Sequence, residues 1–281
     1  MSETVLMLRR ALRHRSFAVG ALLSGCVLGM ALLSLIWTPY APTAMNIRKR
    51  MALPSAEHWL GTDSFGRDVL SLILAGAQNS LLVGLVAVGI GLLAGSALGL
   101  LAAARRGWIE ELVMRFADFT FAFPAILSAI LLAAVFGPST MNSIVAIAIF
   151  NIPVFARVVR GSANAVWSRD YILAARSAGK GGFRITLEHV LPNILAVIVV
   201  QATIQFALAI LAEAALSYLG LGTQPPTPSW GRMLNEAQTM VFRAPYLAVF
   251  PGMAIAIAVL GFNLLGDGLR DLTDPRLSRQ R

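Results

Sequence analysis

The sequence of 281 residues is apolar and basic: 57% of its residues are hydrophobic, only 13% are charged, and its formal net charge is +9. A soluble domain carries about 25% charged residues, so this composition excludes an ordinary water-soluble globule and indicates a polytopic membrane protein. Its single cysteine, Cys26, excludes an internal disulfide and a cysteine-rich metal site. The positive charge is better explained by its distribution across a membrane than by a nucleic-acid partner.

Six apolar runs of roughly bilayer-crossing length follow one another along the chain. They occupy residues 17–37, 80–104, 119–136, 141–156, 193–217 and 247–266. Only helices and closed barrels satisfy the backbone in lipid, and these runs do not have the alternating pattern of barrel strands. The sequence therefore predicts an all-α polytopic membrane protein with six transmembrane helices. The basic stretch before the first run predicts a retained signal anchor.

The Lys and Arg residues predict the orientation of these helices. With the N-terminus inside, the inner connections and ends hold 17 of the 23 Lys and Arg residues, and the outer connections hold six. Cytoplasmic connections carry the excess of positive charge, so both termini and residues 170–193 are predicted to be cytoplasmic. The long outer connections, 38–79 and 218–246, are rich in Pro and Gly, which favours an ordered cap over the outer mouth.

Three glycines in the second run have a spacing that brings two helices together. Gly91, Gly95 and Gly99 line one helix face and allow another backbone to approach closely. Intramolecular helix packing is the first interpretation, and a subunit interface is the alternative.

The cytoplasmic stretch "DYILAARSAGKGGFRITLEHVLPN" starts at Asp170 and is polar between two apolar runs. It does not match a phosphate-binding loop, because Ala174 stands where the first Gly is required and Gly181 where Ser or Thr is required. The pattern instead predicts a short helix that ends at a left-handed Gly179. Its small, smooth face suits another protein's groove, and a solvated helix without a partner is the alternative. The face and the cations that flank it comprise Ala174, Ala175, Ala178, Arg176, Lys180 and Arg184.

Several other residues are candidates for function outside this stretch. Glu213 lies well inside a predicted span, where a charge is costly, so it is either a pathway or gate residue or a hydrogen-bonded packing group. Trp230, in "QPPTPSWG", belongs either to a rigid loop or to a gate. Asp63, Arg67 and Asp68 either pair with one another or contact an extracytoplasmic binding protein. The three histidines are too widely separated to predict a catalytic or metal site.

Four stretches carry a resemblance to a known family. Residues 170–192 resemble the EAA loop of ABC importer permeases, because Ala174, Ala175, Gly179, Leu191 and Pro192 fit its register. Residues 60–81, 216–234 and 260–276 resemble the C-type inner-membrane subunit of the dipeptide, oligopeptide and nickel branch. One position departs from the family: Leu173 replaces the leading Glu, which implies a shift towards hydrophobic docking.

The resemblance implies a type I importer permease in a bacterial inner membrane, surrounded by lipid and without nucleic acid. Its expected partners are a second, B-type permease, two cytoplasmic ATPases and an extracytoplasmic binding protein. The chain itself is expected to be no enzyme and to bind no cofactor, because ATP and Mg are bound by the ATPases. Residues 1–79 are expected to form an N-terminal segment with the first helix and outer loop, and residues 80–281 a core permease domain with an EAA-like loop at 163–192. The ATPase-coupling residues implied by the resemblance are Asp170, Leu173, Ala174, Ala175, Arg176, Ala178, Gly179, Lys180, Leu191 and Pro192.

Two other classes remain as alternatives at this point. An ion-coupled secondary transporter favours intramembrane acids and internal repeats, and Glu213 is the one acid well inside a predicted span. A non-transporting anchor or assembly subunit requires no coupling helix. The sequence leaves the cargo open among peptides, nickel complexes, opines and glutathione-like solutes.

Overall fold

A computed structural model describes residues 14–123 and 125–273, and over these ranges the regular secondary structure is helical apart from one isolated β-bridge between Thr62 and Asp68. The predicted cytoplasmic ends, 1–13 and 274–281, lie outside the described residues. The α-helices are α1 (Arg15–Ile36), α2 (Val69–Arg105), α3 (Gly107–Ala122), α4 (Ala125–Phe136), α5 (Thr140–Trp167), α6 (Asp170–Ser177), α7 (Gly182–Ile185), α8 (Leu191–Tyr218), α9 (Trp230–Ala237) and α10 (Tyr246–Thr273).

Five of the described helical stretches are long and apolar enough to cross a membrane, and the bent pair α3 and α4 supplies a sixth if it is one span. The all-helical class predicted from the sequence is therefore confirmed. The third predicted span, 119–136, is not one straight helix, because the two members of the pair differ in direction by 81°. The sequence places Pro124 between them, and proline disfavours helical continuation.

Two helices extend well beyond their predicted apolar runs. Helix α2 begins at Val69 rather than at residue 80, because the Asp68 side chain caps it by accepting from the Ser71 backbone N–H at 2.8 Å. Helix α5 continues to Trp167, past the predicted end at residue 156. Hydropathy marks only the part of a helix in lipid, so helical turns outside the bilayer escape such a prediction.

The glycine stripe of α2 packs against α5 within the chain. A Cβ on Gly99 would lie 2.6 Å from the carbonyl oxygen of Ala156, closer than real Cβ contacts allow. Gly91 and Gly95 approach α5 similarly, at Asn151 and Ile152. The interpretation of the stripe as intramolecular packing is confirmed, and α2 and α5 form the most extensive helix pair among the described residues.

Candidate functional site

Residues 170–192, predicted to couple to a partner and called the coupling segment below, begin with the short helix α6. This helix is terminated at Gly179, as the sequence predicted. Gly179 has a φ of +83°, in the left-handed region where a side chain is unfavourable. Its N–H donates to the Arg176 carbonyl at 2.9 Å, and the Lys180 N–H donates to the Ala175 carbonyl at 3.1 Å. These two bonds are the Schellman pattern, so the last carbonyls of the helix are satisfied without help from another chain.

One face of α6 anchors the helix and the rest is uncovered. Ile172 is fully buried and Ala175 is partly buried, whereas Ala174 and Ala178 are exposed. Leu173 is 55% exposed, Phe183 79% and Leu187 46%. A patch that combines large apolar side chains with smooth alanines is typical of an interaction surface.

The cations of the segment are engaged within the chain. The Arg176 guanidinium lies 4.9 Å from the Trp167 ring centroid, and α6 is thereby held against the end of α5. Glu188 accepts from Lys180 at 2.6 Å and from Arg184 at 2.5 Å. Asp170 lies exposed in the first turn, where its charge suits the helix N-terminus. The face left open is therefore mainly apolar.

The segment runs directly into α8. Helix α7 is followed by a π-helical segment, Thr186–Val190, and then by Leu191 and Pro192 at the start of α8. The helical stretch from Gly182 to Tyr218 comprises 37 residues. At 1.5 Å per residue it is about 55 Å long, which is enough to connect the two sides of a membrane.

A groove with a volume of about 530 Å³ lies beside α8. Its lining is mostly apolar, and its amide side chains, Asn151 and Gln205, face each other across α5 and α8 near the middle of both helices. Gln205 Nε2 donates to Asn151 Oδ1 at 3.0 Å, and Asn151 Nδ2 donates to the Ile147 carbonyl at 2.8 Å. An apolar cleft with a few placed polar groups is the usual form of a small-molecule site.

The predicted gate residues Glu213 and Trp230 lie close together and are both fully buried. Glu213 accepts from Ser80 Oγ at 2.8 Å and from Ser217 Oγ at 2.7 Å. The Trp230 indole N–H donates to the Ile73 carbonyl at 3.1 Å, which ties the start of α9 to α2. Neither residue lines the groove, and their assignment to a transport pathway stays a prediction.

The three candidate residues of the first outer loop, Asp63, Arg67 and Asp68, are also buried within the chain. Arg67 Nε donates to Asp63 Oδ2 at 2.6 Å, and its Nη2 pairs with Glu236 of α9. Burial by itself lowers the pKa of Arg67. The carboxylates of Asp63 and Glu236 together raise it by more, so the pKa of Arg67 is above its ordinary value. Asp68 contacts His58 Nδ1 at 3.0 Å. The loop is thus joined to α9.

Sequence reasoning did not identify four of the residues that organise these regions. Glu188 and Glu236 are single acids in polar stretches, and Glu236 meets Arg67 across 169 residues of chain, which no local spacing shows. Asn151 and Gln205 did carry a signal, because each is an amide inside an otherwise apolar run.

The chain matches the family model described as the binding-protein-dependent transport system inner membrane component over residues 95–279. A dipeptide transport system permease protein of Alkalihalophilus pseudofirmus is 44% identical over 265 residues, which cover 94% of this chain and 87% of that protein. A glutathione transport system permease protein of Pectobacterium atrosepticum is 49% identical over 224 residues, covering 80% of this chain and 74% of that protein.

A solved structure of the MetNI methionine ABC transporter in an inward-facing conformation has a similar fold. The alignment covers 72% of this chain and 97% of that chain, with a TM-score of 0.61 and 19% sequence identity. At this identity the likeness concerns the arrangement of helices.

Proposed function

Because the chain belongs to the family of binding-protein-dependent transport inner-membrane components and is a permease subunit of an ABC importer, we propose that its cargo is short peptides, glutathione among them. The names of the dipeptide and glutathione relatives support this substrate class. The type I importer permease fold is confirmed by the family match and by the likeness to the methionine transporter.

The proposed assembly contains three further kinds of subunit in a bacterial inner membrane. A B-type permease forms the other half of the pathway, and a binding protein delivers cargo from outside. Two cytoplasmic ATPases bind ATP and Mg, and this chain binds neither. The uncovered apolar face of the coupling segment carries this proposal, because such a face on a short, separately capped helix fits a groove of another protein.

The continuous helix explains how the coupling segment acts on cargo. Residues of α8 that line the groove, Gln205, Leu208 and Ala212, belong to the same helical stretch, Gly182–Tyr218, as the second half of the coupling segment. A displacement of this second half by the ATPases therefore tilts the wall of the groove. Tilting opens the groove alternately to the two sides, and the amide pair offers a hydrogen-bonding contact to a passing peptide group.

Uptake into proteoliposomes tests the proposal directly. The chain is reconstituted with its B-type permease and ATPases, and the binding protein is supplied outside with radiolabelled alanyl-alanine, glutathione or a nickel–histidine complex. We expect ATP-dependent uptake of the peptides, no uptake when the ATPases carry an inactivated catalytic base, and no effect of a protonophore. Uptake that follows the proton gradient and ignores ATP would overturn the coupling. Uptake of the nickel complex alone would overturn the substrate class.

A further inference from the structure

Glu213 connects one outer loop, residues 219–229, and the start of α9 to the end of α8 and to α2. At one end the Thr223 backbone N–H donates to Ser217 Oγ at 2.9 Å, and Ser217 Oγ donates to Glu213 Oε1 at 2.7 Å. At the other end the Trp230 backbone N–H approaches Ser80 Oγ at 3.4 Å, and Ser80 Oγ donates to Glu213 Oε2 at 2.8 Å. Each hydroxyl accepts from the backbone, so its own proton is directed to the carboxylate.

Among the residues that the structure describes, no cation pairs with the Glu213 side chain. The Thr223 hydroxyl adds a longer bond of 3.3 Å to Oε1. A fully buried carboxyl group is costly unless its hydrogen bonds are satisfied. Here every bond that satisfies it comes from the loop or from hydroxyls that hold the loop, so the group is tied to this one position of the loop.

Two glycines show how closely the loop is pressed onto α8. A Cβ on Gly222 would collide with Ser217, and a Cβ on Gly231 would collide with Ala214. Gly222 lies in the loop and Gly231 lies in the first turn of α9, and the residues they meet lie within about one turn of Glu213. Asn79 Nδ2 adds a bond of 2.7 Å to the Pro228 carbonyl. The contact is therefore built from backbone approach as well as from the carboxylate.

The contact at Glu213 lies at the opposite end of a long helix from the coupling segment. The 37-residue helical stretch that ends beside Glu213 begins at Gly182, inside the coupling segment. We propose that Glu213 is the positioning residue that holds the outer loop across the junction of α8 and α2, so that displacement of α8 relative to α2 by the coupling segment repositions the loop on the opposite side of the membrane. This inference rests on the proposed function, because it requires a coupled transporter.

Cysteine labelling in the assembled transporter tests the inference. Thr227 is exposed near the middle of the loop, and Cys26 is the chain's only cysteine, so a Cys26→Ser, Thr227→Cys chain reports on the loop alone. The rate of reaction with a membrane-impermeant maleimide is measured from outside, without nucleotide and after trapping with ATP and vanadate. We expect the two rates to differ by about threefold or more with Glu213 present.

The decisive variant is Glu213→Gln, which keeps the size of the side chain but replaces one acceptor oxygen with a donor. We expect the labelling rate to lose its dependence on trapping, and ATP hydrolysis per transported alanyl-alanine to rise at least fivefold. A trapping-dependent rate equal to that of the parent chain would overturn the inference. Thr203→Val is the matched control, because Thr203 is on the same helix and its hydroxyl bonds only the Val200 carbonyl.

Assembly is measured separately by co-purification of the ATPases. If Glu213→Gln does not assemble, Ser217→Ala and Ser80→Ala each remove one attachment while the carboxyl group stays in place. Trapping-dependent labelling that survives in both variants would overturn the inference. A parent chain that lacks ATPase association or uptake would overturn the proposed function instead, so the two failures are distinguishable.

Discussion

The two ends of the bundle are constructed in opposite ways. At the outer end, charged and polar residues are buried against one another: Arg67 joins Asp63 to Glu236, and Glu213 holds a loop through hydroxyl groups. At the inner end, the coupling segment satisfies its backbone and its charges but leaves Leu173, Phe183 and Leu187 exposed. The outer end thus bonds its buried charges to one another within one chain, although its loops also expose Phe242, Leu53 and Ile47, whereas the inner end joins satisfied charges to an exposed apolar surface on a short helix.

Removal of the cation at the outer end should have the largest effect. Arg67→Met leaves Asp63 and Glu236 buried without their shared partner, and breaking a buried pair costs about 3 to 5 kcal/mol. We expect a clearly lower thermal unfolding midpoint in detergent and faster trypsin cleavage of the outer loops. Arg50→Met, at an exposed position in the same loop, is the control. Equal stability of the two variants would contradict the description of an outer end whose buried charges stabilise the fold.

A bulky residue on the inner face should abolish docking without unfolding the chain. Ala174 is exposed, so Ala174→Trp has room in the isolated subunit but obstructs a partner's groove. We expect ATPase association to weaken by on the order of 2 kcal/mol, about 30-fold in Kd, with an unchanged unfolding midpoint. Ala56→Trp, exposed in the first outer loop, should leave association intact. Normal ATPase binding and normal uptake by Ala174→Trp would show that this face does not contact the ATPases.

The ion pairs of the coupling segment should matter little to stability. Glu188→Gln removes the bonds from Lys180 and Arg184, and such solvated pairs contribute about 0 to 1 kcal/mol. We expect a small decrease in the unfolding midpoint at low ionic strength that disappears in high salt. Glu111→Gln, which breaks a similar exposed pair with Arg115, should behave alike. A large, salt-independent loss would mean that the inner end is as internally bonded as the outer end.

Restoring the family's acid should have the smallest effect. Leu173 is 55% exposed, so Leu173→Glu should change the free energy of unfolding by no more than about 0.5 kcal/mol and should retain ATPase association. Differential scanning fluorimetry and co-purification measure the two properties. A variant that folds normally but no longer binds the ATPases would show that the ATPase surface requires a leucine at position 173.

Local features of the fold were predictable from the sequence because their causes are local. Gly179 ends a helix because glycine tolerates a positive φ, and the spacing of Gly91, Gly95 and Gly99 requires a close neighbour. Apolar length located the spans because lipid imposes a minimum length. The start of α2 at Val69 was missed because it depends on a cap by Asp68 outside the apolar run.

The organisation of the candidate site was predictable only in part. The pattern of the coupling segment predicted a short helix, which the structure contains, and its docking role stays a prediction. Glu188 emerged only when the fold brought it beside Lys180 and Arg184. Glu213 was notable in the sequence as an acid in an apolar run, yet two of its hydroxyl partners, Ser80 and Thr223, lie on α2 and in the outer loop. Tertiary contacts over 133 residues, such as that between Ser80 and Glu213, leave no periodic trace in a single sequence.

The glycine stripe between α2 and α5 has a mechanical consequence. A seam too narrow for a methyl group also leaves no clearance for the two helices to slide or roll by a fraction of a turn, because interdigitated backbones resist small shifts. We therefore expect α2 and α5 to act as one rigid unit during the transport cycle. Movement driven through the coupling segment must then displace α8 relative to this unit as a whole, rather than open a gap between α2 and α5.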